Sequence, residues 1–291
     1  MVINSTLAKC LLLAFSFLPF VANAQNATSW ADAKKNKEAT IVVNYIQTPM
    51  FSYSSSQKEK PKGICVDLME NFAKYLEMQK GIKVKIEYRP YEDFAKFYAA
   101  TKASGNGTFG IGNITITEAR KKEVRFSPPF ISNTTVLLTH NSVPTLRKME
   151  LIGKDFAGMT AYTVKGTTNA QRIEMLKKQY MPEMQIKYLN SSIDAIQSVA
   201  QDPKGFTNLD FVYYNDAIRD KMPIKRHPVG DFNAEEFGIM MPMASDWQPA
   251  IQDFFAAEGR NYRNSAEYRA SLNVHLGESA VRLLESIQQR R

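Results

Sequence analysis

Thr40-Ile41-Val42-Val43-Asn44-Tyr45-Ile46 is a run of β-branched and aromatic residues, broken at once by Thr48-Pro49. Such a run bounded by a breaker reads as a strand. Downstream, Val66 to Gln79 carries apolar residues at Leu68, Phe72, Tyr75 and Leu76, and Gly81 follows as a stop. That spacing predicts a helix. Val84-Lys85-Ile86-Glu87-Tyr88 alternates as a second strand does, and Phe94 to Thr101 has helical character. Strand, helix, strand, helix is the grammar of an α/β unit with a largely parallel sheet. Before this block, residues 25–38 read as a polar lead-in; within it, Ser54 to Lys62 reads as a loop.

The same order returns further on. Phe156 to Val164 reads as a strand, Thr168 to Tyr180 as a helix, Gln185 to Leu189 as a strand, Ile193 to Ala200 as a helix and Leu209 to Tyr214 as a strand. No sequence repeat accompanies this repeated element order. Phe237 to Met241 is one more apolar strand, and Trp247 to Glu258 and Ser265 to Leu272 read as surface helices. The expectation is two α/β lobes, with the C-terminal segment returning to the first. Lobe 1 takes residues 25–135 and 236–291 and lobe 2 takes 136–235, with Val136 to His140 and the stretch around Phe237 as the two hinge strands.

The N-terminus places Lys9 before an apolar run from Leu11 to Val21, and Ala22-Asn23-Ala24 supplies a small-x-small cleavage site. This is the pattern of a cleavable signal peptide, and the run is shorter than the roughly 20 residues of a membrane span. Removal of residues 1–24 from 291 leaves 267 and one cysteine, Cys65, because Cys10 departs with the signal. No disulfide can form within that chain, and no cationic neighbour marks Cys65 as a reactive thiol, so a buried structural cysteine is expected. Lys+Arg number 37 against 29 Asp+Glu, but the cations are scattered among acids as at Lys34-Lys35 and Lys121-Lys122. A nucleic-acid reader concentrates its charge in a stripe, so that class is excluded.

Catalytic and cofactor signatures are weak. Gly105-Asn106-Gly107-Thr108-Phe109-Gly110 matches a dinucleotide fingerprint as a string, but it follows a predicted helix instead of opening one, so it reads as a turn. His140, His227 and His275 do not lie at metal-ligand spacing, and no nucleophile elbow occurs. No catalytic residue, metal or cofactor is expected. The stretch that stands out is Gly112-Asn113-Ile114-Thr115-Ile116-Thr117-Glu118-Ala119-Arg120, continuing to Phe126-Ser127-Pro128-Pro129-Phe130. Thr117 is suited to cap a helix in which Arg120 occupies the third position. An Arg beside free backbone N–H groups suits a carboxylate held bidentately, although a surface ion pair would use the same residue. Gly166-Thr167-Thr168, between a strand and a helix, is either an anion-holding turn or an ordinary capped start.

These residues carry a family resemblance. The chain resembles the amino-acid-type extracellular solute-binding proteins of ABC transporters (family 3, type II periplasmic binding proteins). Four blocks match in order: Pro49-Met50-Phe51-Ser52-Tyr53, Gly63-Ile64-Cys65-Val66-Asp67-Leu68, Ile114 to Arg120 with Phe126 to Phe130, and Gly166-Thr167-Thr168. The resemblance implies a two-lobed α/β fold with a two-stranded hinge. It implies a monomer in the periplasm that closes on a small polar ligand, an amino acid, and delivers it to a membrane permease. Arg120 would clamp the α-carboxylate, helped by Thr115, the backbone near Asn113, and Thr168 from the other lobe; Phe51 and Tyr91 would be walls. The family places an Asp after the strand assigned to Leu209–Tyr214 to hold the α-ammonium. Here Asn215 falls at that place with Asp216 next, so either Asp216 takes the role or the ligand is not a standard α-amino acid. Arg125 stands where the family has an acidic residue, which would favour an acidic ligand unless Arg125 is merely on the surface. Two alternatives share the fold: a cyclohexadienyl dehydratase acting on prephenate or arogenate, and a sensor serving a signalling partner.

Overall fold

The computed structural model describes residues 27–56, 59–257 and 261–288. The signal-peptide reading, with Cys10, lies outside these residues.

The first half follows the expected order. Strand β1 (Glu38–Ile46) leads to α2 (Ile64–Lys80), β2 (Lys83–Tyr91), α3 (Phe94–Lys102) and β3 (Thr108–Ile111); α1 (Trp30–Asn36) precedes them. The polar lead-in therefore contains a helix. Its signal was Ser29, whose side chain accepts from the Asp32 N–H and so caps a short segment of little apolar content. Helix α2 ends where Gly81 adopts a left-handed conformation (φ 64°). The Gly105–Gly110 segment is a turn entering β3, as the sequence predicts. A short helix α4 (Glu118–Lys121) and strand β4 (Val124–Phe126) complete this part.

The chain continues through β5 (Ile131–His140), α5 (Ile152–Asp155), β6 (Thr160–Val164), α6 (Thr168–Tyr180), β7 (Gln185–Leu189) and α7 (Ser192–Gln201). Then come β8 (Gly205–Asp210), α8 (Phe211–Arg219), β9 (Ile224–Phe237), β10 (Met240–Pro242), α9 (Gln248–Phe255), α10 (Ala266–Leu276) and α11 (Glu278–Gln288). Two five-stranded sheets result, ordered β2-β1-β3-β10-β4 and β7-β6-β8-β5-β9. Strand β1 runs parallel to β2 and β3, and β6 runs parallel to β7 and β8. Each sheet thus has the same parallel triplet, entered by its middle strand.

Three sequence expectations need correction. The strand expected from Phe156 begins at Thr160, because Phe156 closes α5. The strand expected over Leu209–Tyr214 ends at Asp210, and Phe211 to Tyr214 open α8. Aromatic and β-branched residues there favour a strand by propensity, but Phe211, Val212 and Tyr213 are the buried face of a helix. Val136 to His140 form no hinge. They lie inside β5, paired to β8 on one side and β9 on the other.

The chain passes between the sheets at Ser127–Phe130 and at Gly238–Ile239 instead. The two passages run side by side. Ser127 N–H donates to the Ile239 carbonyl (2.9 Å), Ile239 N–H donates to Ser127 Oγ (2.9 Å) and Phe130 N–H donates to the Phe237 carbonyl (2.9 Å). This is the two-stranded hinge, several residues earlier than expected on its first strand. The segment around Phe237 divides into the end of β9 and the separate β10.

The C-terminal segment packs back on the first sheet. Trp247 is fully buried against Phe109, Phe72 and Trp30, with ring centroids 5.7, 6.2 and 5.1 Å away. Its indole N–H donates to the Thr28 carbonyl at 2.8 Å, so the one polar group of this large side chain is satisfied. Ser271 and His275 of α10 meet Asp67 of α2 at 2.7 and 2.9 Å. Burying side chains of this size contributes about 1.5–3 kcal/mol each.

Candidate cleft between the two sheets

In an open parallel sheet, the loops that leave the C-terminal strand ends form the natural crevice for a ligand. Both triplets direct those ends to one cleft. The first sheet contributes Ile46 and Gln47 after β1, Glu92 and Phe94 after β2, and the loop from Gly112 after β3. The second contributes Thr167, Thr168 and Asn169 after β6, Asn190 to Ser192 after β7, and Asp210 at the end of β8.

The loop after β3 is shaped by Gly112 (φ 141°), where a Cβ would stand 2.4 Å from Ile46 Cγ2. Asn113 follows. Thr48 donates its hydroxyl to Asn113 Oδ1 (2.9 Å), so the amide nitrogen faces across the cleft and donates to Asp210 Oδ2 (2.5 Å). Thr115 is held in extended backbone by its neighbours: Ile116 N–H donates to the Glu236 carbonyl and Gly238 N–H to the Ile114 carbonyl. Its hydroxyl lies 3.2 Å from that of Thr168. Thr117 caps α4 by accepting from the Arg120 N–H, as the sequence predicts. This cap holds Arg120 at the cleft, where its guanidinium stacks 5.2 Å from Phe94 and 5.6 Å from Tyr98. Nη1 donates to the Thr115 carbonyl (2.9 Å) and Nη2 to the Gly166 carbonyl of the opposite sheet (3.3 Å). Burial pushes the Arg120 pKa down, while Tyr98, Glu235 and Asp210 oppose that shift. A guanidinium keeps its charge under such pressure.

On the far side, Thr167 accepts from the Ala170 N–H and so caps α6, leaving Thr168 and Asn169 at the mouth of the helix. Asp210 is 2 % exposed. Oδ1 accepts from Asn133 Nδ2 at 2.8 Å, and the same nitrogen donates to Glu235 Oε2 at 3.1 Å. Burial, then the nearby Glu235 carboxylate, raise the Asp210 pKa well above the usual carboxylate range. Asn113, Asn133 and Asn169 bond to it and oppose the rise.

Asn113, Thr115, Arg120 and Thr168 therefore line one cavity. The other four residues do not join them. Phe51 is 1 % exposed and packs edge-on against Phe237 (5.7 Å) and Phe130 (6.1 Å), beneath the hinge. Tyr91 packs against Phe97 at 6.0 Å; the aromatics that line the central cavity are Phe94 and Tyr213. Asn215 and Asp216 sit on α8, beyond the strand end. Asn215 Nδ2 reaches Met50 Sδ and the Leu276 carbonyl, both at 3.4 Å, while Asp216 lines a wider annexe of the cleft with Arg219. The expected strand boundary lies too late in the chain, and the carboxylate at the end of the strand is Asp210. An acidic residue closing the otherwise uncharged run Gly205 to Leu209 was the available signal. Asn169 directly follows Thr168, and nothing local marks Glu235 or Asn133, which arrive from distant segments.

Other singled-out residues are structural. Cys65 is fully buried, its thiol 3.7 Å from the Gly112 carbonyl, and burial pushes its pKa far up. Arg125 donates to the Met243 carbonyl (2.7 Å) and to Gln248, away from the cleft. That removes its argument for an acidic ligand. The histidines are separate: His140 meets Ser142, His227 lies between Thr139 and the Leu146 N–H, and His275 meets Asp67.

The central cavity measures about 30 Å³, roughly the share of one water molecule in the liquid. It cannot admit an organic ligand unless the sheets part at the hinge. A guanidinium on one side and a carboxylate on the other, in a cleft between two sheets joined by two strands, is the arrangement of a two-lobed binding protein.

The relationships agree with that class. Residues 41–276 match the family model of bacterial extracellular solute-binding proteins, family 3. The chain belongs to this family. A glutamine-binding protein of Geobacillus stearothermophilus is 27 % identical over 214 residues, 67 % of this chain and 75 % of that protein. An ancestral arginine-binding protein solved with arginine superposes with a TM-score of 0.67 at 22 % identity, covering 82 % of this chain and 98 % of that one. The ancestral amino acid-binding protein AncCDT-1, a precursor of cyclohexadienyl dehydratase, superposes with a TM-score of 0.64 at 20 % identity, covering 84 % and 98 %. At these identities the superpositions establish the fold.

Proposed function

We propose that the protein captures an amino acid in the periplasm by hinge closure and, as a monomer, presents it to an ABC permease. The observation that carries this reading is the opposition of Arg120 and Asp210 across the cleft. Arg120, with Thr115 and Thr168, takes the α-carboxylate, and its present bonds to backbone carbonyls are exchanged for bidentate bonds to the ligand. Asp210 takes the α-ammonium in place of the Asn113 amide. Asn215 and Asp216 are no longer needed for that role, so their position is no argument against a standard α-amino acid. Ligand shifts the population towards the closed form by its extra affinity for that form.

Purified protein, refolded to strip carried ligand, is to be screened by thermal shift against the amino acids. Ligand at 100 times its dissociation constant adds about 2.7 kcal/mol of stability. A clear shift with an amino acid, lost in Arg120→Ala, is expected; no shift with any of them refutes the reading.

One observation favours a second reading. Asp210 holds its proton at unusually high pH beside a guanidinium, and a retained proton is what a general acid in an elimination requires. Turnover of prephenate or arogenate, lost in Asp210→Asn, would establish that reading.

A further inference from the structure

The central cavity does not end the cleft. Gln47, Glu92, Asn190 and Ser191 line both it and the annexe, whose volume is about 540 Å³. The annexe therefore continues from the place where the α-carbon of a bound amino acid would lie. Its ionisable lining is Glu92, Asp194, Asp216 and Arg219, with the half-exposed ring of Tyr53 beside them.

The charges do not balance. Within the proposed reading, Arg120 is matched by the ligand α-carboxylate and Asp210 by its α-ammonium. Arg219 is the cation that lines the annexe with Asp216, whose pKa burial and then Asp220 raise against the pull of Arg219. Glu92 and Asp194 are left in the annexe, and Glu235 beside Asp210. Among the described residues none of these carboxylates takes part in an ion pair. This acidic surplus sits in a chain whose formal net charge is +8.

An independent feature also calls for a donor. Asn169 lines the central cavity and is 4 % exposed. Its side chain bonds to the Asp210 carboxylate, which can only accept while ionised, so the amide nitrogen faces Asp210. Asn169 Oδ1 is then the atom left over, and it is buried with no partner. A buried acceptor without a donor costs about 1–3 kcal/mol, and a ligand N–H would supply that donor.

We infer that the ligand is a basic amino acid, with a second cationic nitrogen on a side chain that passes Glu92 into the annexe. Glu92 and Asp194 meet the charge, and Tyr53 offers its ring face to it. A guanidinium or ammonium on a flexible chain fits this geometry. An acidic side chain would meet like charge, and a neutral one would leave the carboxylates unmatched. The inference rests on the amino-acid reading above and goes beyond it in naming the class.

The test is calorimetric titration of the refolded protein with L-arginine, L-lysine and L-ornithine against L-citrulline, L-norleucine and L-glutamine. Citrulline has nearly the shape of arginine without the charge. The expected result is binding of at least one basic amino acid about tenfold to a hundredfold tighter than its uncharged counterpart, with the preference shrinking in high salt. Glu92→Gln should narrow the arginine-to-citrulline ratio. If glutamine or citrulline binds as tightly as the basic amino acids, this inference is overturned while the amino-acid reading stands. If no amino acid binds, both fall together.

Discussion

Asn113, Thr115 and Arg120 come from a single loop and the helix turn that follows it, whereas Thr168, Asn169, Asp210 and Glu235 come from three separate segments of the second sheet and hinge. The first half of the cleft is positioned locally, by the tight turn at Gly112, the hydroxyl of Thr48 and the cap at Thr117. The second is positioned by strand pairing, which sets Asp210 opposite Thr135 and Asn133 opposite Glu235. Under the proposed reading, the locally built half would hold ligand first, and the half assembled over long range would add its contacts on closure.

The sharpest way to break this comparison concerns what lies beneath it. Phe51→Ala should cost about 3–5 kcal/mol of stability, measured by denaturant unfolding, because a fully buried ring is removed. A fall in affinity at unchanged stability would restore Phe51 as a cleft wall. Next is Arg120→Ala, which should weaken binding by about 2–5 kcal/mol in a calorimetric titration, since it leaves a carboxylate unpaired in a closed cleft. Thr168→Ala should cost only about 1 kcal/mol, the worth of one neutral hydrogen bond. Equal losses in the two variants would mean that the halves do not divide the work.

The next effect is a pH dependence. Burial and then Glu235 raise the Asp210 pKa from 3.8 to about 7, with Asn113, Asn133 and Asn169 bonding to the carboxylate, and Tyr213 and Arg120 interacting with its charge. The folded protein therefore holds this proton more tightly than the unfolded chain does. Its contribution to stability is complete below 3.8 and is lost as pH rises through 7. A ligand ammonium needs the ionised form, so affinity should rise with pH up to about 7 and level off above it. Asp210→Asn should flatten that profile in titrations over the same range. The smallest effect is expected for Asn215→Ala, within about 0.5 kcal/mol on affinity. A large loss there would return Asn215 to the cleft.

Legibility followed the same division. The helices of the first half announced themselves by spacing and stops, as at Leu68, Phe72, Leu76 and Gly81. The cap at Thr117 could be read from residue types alone. Arg120 was therefore visible as a candidate, although its choice between ligand clamp and surface ion pair depended on Phe94, Tyr98 and Gly166 being close in space. Asp210 was missed because Phe211-Val212-Tyr213-Tyr214 has the propensity of a strand and the packing of a helix. The first hinge strand was misplaced for a related reason. Val136 to Leu138 are apolar because β5 is buried between β8 and β9, and burial leaves the same mark as a crossing between lobes would.

By itself the sequence determined the two α/β units, the order of most of their elements, the cap at Thr117 and the loop that carries Asn113, Thr115 and Arg120. All of these depend on neighbours a few residues apart, where periodicity and turn chemistry act directly. Only the tertiary structure decided that Asp210 faces Arg120, that Glu235 and Asn133 share its surroundings, and that the cleft continues past Glu92. Those relations join residues far apart in the chain through strand pairing and the hinge, and no local pattern encodes which distant carboxylates will share one cavity.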